Sequence, residues 1–92
     1  MSEFTNGPWE SIIGTSSGKE VVAPNANKGK YRIARCGGPD RDANSALIAA
    51  APDLYEAIKS CLNFMENTES ELGISLESAD QARAALAKAR GE

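Results

Sequence analysis

Along the first third of the chain, apolar and polar positions alternate in short runs separated by turn chemistry. Asn6-Gly7-Pro8 is a turn signal ahead of Trp9-Glu10-Ser11-Ile12-Ile13, which alternates until its final pair. Gly14-Thr15-Ser16-Ser17-Gly18 reads as a loop, and Lys19-Glu20-Val21-Val22-Ala23 as a second strand stopped by Pro24. Asn25-Ala26-Asn27-Lys28-Gly29 is turn chemistry again, because Asn and Gly tolerate positive φ. From Lys30 to Cys36 the alternation puts Tyr31 and Ile33 on one face and Lys30, Arg32 and Ala34 on the other. A three-stranded antiparallel meander is the economical arrangement.

The period then lengthens. After Gly37-Gly38-Pro39, Asp40 or Asp42 can cap a helix through the alanine-rich run that ends at Ala51. Pro52 has no amide proton and pushes Ala51 away from helical geometry, so a kink or restart is expected, with Pro52 in a first turn. Leu47, Ala51, Leu54, Ile58, Cys61, Leu62 and Met65 recur in steps of three and four, with Ile48 and Tyr55 alongside, and predict one buried stripe. An acidic stretch from Glu66 to Glu77 follows, under which Leu72, Ile74 and Leu76 are expected to tuck. Ser78-Ala79-Asp80-Gln81 has the form of a capping box, and Ala79, Ala82, Leu86 and Ala89 make a narrow stripe on a last helix ended by Gly91. The expected fold is α+β in a single domain: a small antiparallel three-stranded sheet over about 9–36, then a kinked helix and a second helix over about 42–90, forming a helical hairpin packed on the sheet.

Composition qualifies this picture. In 92 residues the apolar 41% is inflated by alanine, with one Trp, two Tyr and two Phe. Alanine buries little area, so the core should be thin and self-association is expected to complete it. There is no histidine, and Cys36 and Cys61 lack CxxC spacing, so no metal site and no cofactor are expected. Both cysteines are read as small buried apolar groups, a disulfide between them being the minor alternative. A general base at neutral pH would have to be a perturbed Asp, Glu, Lys or Cys, and no nucleophile pattern stands out. The Gly14–Gly18 loop before Lys19 is too short to cradle phosphate. The protein is therefore expected to be no enzyme, and to act by binding. No apolar run reaches the length of a membrane span, and residues 1–6 lack a signal-peptide pattern, so a cytoplasmic location is expected.

Charge is unevenly spread. Residues 19–41 hold six bases against Glu20 and Asp40, while residues 42–82 hold eight acids against Lys59, within a net charge of −3. The basic segment supplies the candidate site: Asn25, Asn27, Lys28 and Lys30 on a hairpin turn, with Arg32 and Arg35 on the following strand. Loops on a rigid scaffold carry recognition, and a phosphate backbone could meet this one. The competing explanation is that these charges only protect a strand from edge-to-edge pairing.

The run Asp42-Ala43-Asn44-Ser45-Ala46-Leu47-Ile48-Ala49-Ala50-Ala51-Pro52-Asp53-Leu54-Tyr55-Glu56-Ala57-Ile58 resembles the ANA-x-LIAAAP-x-LL-x-AL signature of small temperate-phage and prophage proteins. The close Ala82-Arg83-Ala84-Ala85-Leu86-Ala87-Lys88-Ala89-Arg90-Gly91-Glu92 is similar to the ending of that group. The resemblance implies a phage accessory protein acting in the host cytoplasm. Such proteins often counter host defence, and the expected function is that of a type I-F anti-CRISPR protein. Its partner would be the host CRISPR-Cas surveillance complex, with protein subunits meeting the acidic helices and guide RNA meeting the basic hairpin. One alternative is an oligomeric sponge that sequesters a nucleotide immune signal through Arg32, Arg35 and Asn44. Another is a structural or regulatory accessory role, although no helix-turn-helix with a basic recognition helix is visible.

Overall fold

The fold is taken from a computed structural model that describes residues 4–14, 18–24 and 31–92, with Tyr31 described by its backbone alone. Strands β1 (Glu10–Ile13), β2 (Lys19–Ala23) and β3 (Tyr31–Cys36) form an open antiparallel sheet in the order β1-β2-β3. Helices α1 (Arg41–Ala49), α2 (Ala51–Leu72) and α3 (Glu77–Ala89) follow. The α+β meander-then-helices order read from the sequence is the observed one. The chain divides into two compact units, residues 1–53 and 54–92.

In the first unit α1 lies across all three strands. Antiparallel pairing aligns Ser11, Val21 and Ala34 in one row, and small side chains there let the helix approach closely. Ser45 of α1, fully buried, meets that row: its Oγ lies 2.8 Å from Ser11 Oγ and donates to the Asp42 carbonyl at 3.0 Å. Its single proton is thereby used, so Ser11 is the donor of the pair. Val21, Ala23 and Cys36, all buried, complete this face of the sheet.

Asp40 occupies the N-cap position of α1 but makes no side-chain capping bond, and Asp42 lies inside the first turn, where an acid favours the helix dipole. Neither therefore caps through its side chain as expected. The helix stops at Ala49 and restarts at Ala51, with Pro52 in the new first turn, where the missing amide proton costs nothing. Pro52 is buried, and a Cβ built on Gly7 would come within 2.8 Å of its Cβ. Gly7→Ala should therefore destabilise the first unit by about 1–3 kcal/mol, the usual range for overpacking. Thermal unfolding indistinguishable from wild type would show that this approach is not close in solution.

The second unit is a hairpin of α2 and α3. Tyr55, Ile58, Leu62, Met65 and Glu69 form the half-buried stripe of α2, and Ala79 and Leu86 are the buried residues of α3. The expected stripe is corrected at three places: Leu47 (64% exposed), Leu54 (46%) and Cys61 all face solvent. The break at Ala50 separates Leu47 from the later helix. An alanine-lined partner covers only a narrow arc of α2, which leaves Leu54 and Cys61 roughly a quarter turn outside it. Cys36 is buried as expected, and both cysteines are free. Leu72 and Ile74 are exposed rather than tucked in, and only Leu76 is partly covered.

Gly73 (φ 66°) ends α2, donating its amide to the Glu69 carbonyl at 2.8 Å. The capping box expected at Ser78 is not used. The helix begins two residues earlier, at Glu77, Leu76 holds the N-cap position, and its amide donates to Glu69 Oε2 at 2.7 Å. A carboxylate from α2 thus takes the N-cap residue's own amide, the part that a capping box gives to its Glu or Gln, and no side chain caps the first turn.

Candidate functional site

Of the six residues singled out from the sequence, Asn25, Asn27, Lys28 and Lys30 lie outside the described residues. Arg32 and Arg35 stand in β3, and the pairing of that strand decides where they point. Residues three apart in a regular strand face opposite sides of a sheet. Here Val21 pairs with Ala34 but Val22 pairs with Arg32, so Ile33 is an extra residue, a β-bulge. The bulge puts Ala34 on the face of Val21 and Arg32 on the face of Val22. Arg35, opposite Glu20, falls on that second face too. The strict alternation read from the sequence is corrected accordingly: Arg32 and Ala34 lie on opposite faces, and the two arginines share one.

That face also carries Glu10 and Ile12 of β1 and Glu20 of β2, whereas α1 covers the other. Arg32 Nη1 donates to Glu20 Oε2 at 3.3 Å, with the arginine side chain 57% exposed and the glutamate only 15%. Gly14 leaves room for this: a Cβ there would sit 2.8 Å from Glu20 Cγ. Glu20 is thus held against the backbone and orients Arg32, and with Glu10 it balances the two arginines of this face. An ion pair this exposed contributes about 0–1 kcal/mol to stability, so its main effect is on direction. Sequence reading missed Glu20 as the partner of Arg32, because only the bulge makes the two diagonal neighbours.

Asn44 is exposed on α1, on the far side of the sheet from Arg32 and Arg35. These three residues do not converge within one chain. Among the described residues no group of three or more Cys, Asp or Glu could hold a metal ion, and no helix is long and apolar enough to cross a membrane.

The strongest charge network lies in the hairpin and has a structural task. Arg83 donates to Glu69 at 2.8 Å, to Asp80 at 2.8 Å and to Glu66 at 3.2 Å. The Leu76 amide and then the Arg83 guanidinium hold the Glu69 carboxyl below the usual carboxylate range. A lowered folded-state value means that this contribution is complete above the ordinary carboxylate pKa and is lost as pH falls through the lowered one. The hairpin should therefore weaken in acid, and Glu69→Gln should flatten that part of the stability profile. An unchanged acid limb in the variant, followed by circular dichroism, would remove Glu69 from this role.

A family model described as Salmonella phage P22 protein Y8K6 matches residues 1–92. The chain belongs to that phage family. No curated protein matches it, and neither does any solved structure. Membership in the Y8K6 family agrees with the phage origin implied by the helical motif. Among the described residues, the sheet face that carries Arg32 and Arg35 beside Glu10 and Glu20 is the candidate for recognition.

Proposed function

We propose that this member of the Y8K6 family is a non-enzymatic inhibitor of host antiviral defence, an anti-CRISPR protein that binds the type I-F surveillance complex and blocks target DNA. The observation that supports this reading most directly is the placing of Arg32 and Arg35 on one sheet face by the bulge at Ile33. Lys28 and Lys30 precede the strand in sequence, so four cationic residues fall within eight positions of chain. A guide-RNA backbone is the chemistry such a surface recognises, since phosphate contacts from Lys and Arg dominate nucleic-acid affinity. The acidic excess over residues 42–82 suits lysine-rich protein subunits beside that RNA. The inhibitor would act in the host cytoplasm by occlusion, without a cofactor.

The test is reconstitution. The purified protein should co-elute with the surveillance complex and abolish its binding of target DNA, and it should bind the protein subunits less tightly when guide RNA is absent. Failure to bind the complex in either state overturns the reading. A nucleotide found by mass spectrometry in the heat-released fraction would replace it with sequestration of an immune signal.

A further inference from the structure

The chain has six asparagines, and only Asn6 is followed by a glycine. Asn6 and Gly7 are both exposed and lie outside helix and strand. Among the described residues nothing accepts a hydrogen bond from the Gly7 amide. The amides that follow Asn44, Asn63 and Asn67 are instead committed to the helix hydrogen bonds of α1 and α2. Asn25 and Asn27 lie outside the described residues. The segment around Asn6 is nevertheless pinned on both sides. Phe4 meets Trp9 edge to face at 6.2 Å, the Trp9 indole donates to the Thr5 carbonyl at 3.1 Å, and the backbone of Gly7 lies against buried Pro52.

We propose that Asn6 is a site of spontaneous deamidation, and that its isoaspartyl product loosens the contact between Gly7 and Pro52. Asparagine is among the thermolabile side chains. The Gly7 amide nitrogen, its proton lost to hydroxide, attacks Asn6 Cγ. The N–Cγ bond forms, the Cγ–Nδ2 bond breaks, and ammonia leaves with a proton taken from water. Glycine favours this step because no Cβ hinders the approach and its backbone turns freely to make it. Water then opens the resulting succinimide ring at either carbonyl. Opening at Cγ gives aspartate, whereas opening at the α-carbonyl gives isoaspartate, in which the main chain runs through Cβ and Cγ. In sum a water is consumed and an ammonia released, with no oxidant, reductant or enzyme.

Geometry makes the isoaspartyl form consequential. It adds a carbon to the main chain between the Thr5 and Trp9 anchors, immediately before the glycine that touches Pro52. A Cβ on Gly7 would already stand 2.8 Å from Pro52 Cβ. The lengthened chain therefore has to move away from the start of α2 or strain the Phe4–Trp9 contact. The aspartyl form keeps the main chain unchanged and adds only a charge at an exposed position. None of this depends on the partner proposed for the sheet.

Ageing the full chain at mildly alkaline pH tests both the site and its consequence. The N-terminal tryptic peptide, residues 1–19, contains a single side-chain amide, that of Asn6, so its mass reports this residue alone. Aged wild type should gain there the mass of an amide-to-acid exchange and become a substrate for an isoaspartyl methyltransferase. Asn6→Gln should do neither, since glutamine would have to close a larger, less favourable ring. Trp9, the only tryptophan, reports the first unit. Its fluorescence melt should fall by about 4–8 °C in the isoaspartyl fraction, the shift of a small domain that loses a weak contact. Asn6→Asp should melt like fresh wild type. An unchanged peptide mass over the time in which the urea-unfolded chain deamidates overturns the site. An isoaspartyl fraction that melts with fresh wild type overturns the loosening.

Discussion

Val21→Asp is expected to abolish the cooperative unfolding of the first unit. Val21 is the central residue of the row Ser11–Val21–Ala34 and has no exposed surface beneath α1. Burying a carboxylate there without a partner costs at least about 4 kcal/mol, by destabilisation of the charged form or by its forced protonation. That approaches the whole stability of a small domain, roughly 5–15 kcal/mol. The change Ile13→Asp is the control, because Ile13 is 81% exposed on the edge strand, and it should shift the midpoint little. A Val21→Asp chain that melts like wild type would show that α1 does not cover this face of the sheet.

The second large effect concerns binding. Removing both arginine charges with Arg32→Gln and Arg35→Gln should weaken association with an RNA-containing partner by on the order of 100-fold at low salt, about tenfold for each charged hydrogen bond lost. The log–log salt slope should fall by about 1.4, the loss of two contacts on single-stranded RNA. Stability should hardly change, since both side chains are exposed and the Glu20 pair is weak. Lys28→Glu with Lys30→Glu should act in the same direction. Binding curves that superimpose on wild type at low salt would reduce the face to solvated surface.

What could be read from sequence follows from the range of the interactions involved. Strand and helix positions were legible because turn residues such as Asn6-Gly7-Pro8 and the Pro52 restart act locally. The narrow alanine stripe of α3 was legible for the same reason, and Ala79 and Leu86 are indeed buried. The bulge was not, because Ile33 looks like any alternating residue until β2 supplies a partner. Glu69 as the acceptor for the Leu76 amide was hidden for a similar reason, since its carboxylate reaches seven positions along the chain. Leu54 and Cys61 were misplaced because period alone cannot state how wide an arc the neighbouring helix covers.

The extra residue in β3 has a consequence for how this family could vary in length. Removing one residue from a strand normally exchanges its two faces for everything beyond the cut. Ile33 is different, because the ladder already passes over it: Ala34 and Arg32 pair with neighbouring residues of β2. Deleting it would turn an irregular strand into a regular one and leave Arg32, Ala34, Arg35 and Cys36 facing as they do now. The sheet thus contains a point where an insertion or deletion changes chain length while preserving surface charge. A family member one residue shorter there would present the same two arginines at positions two apart.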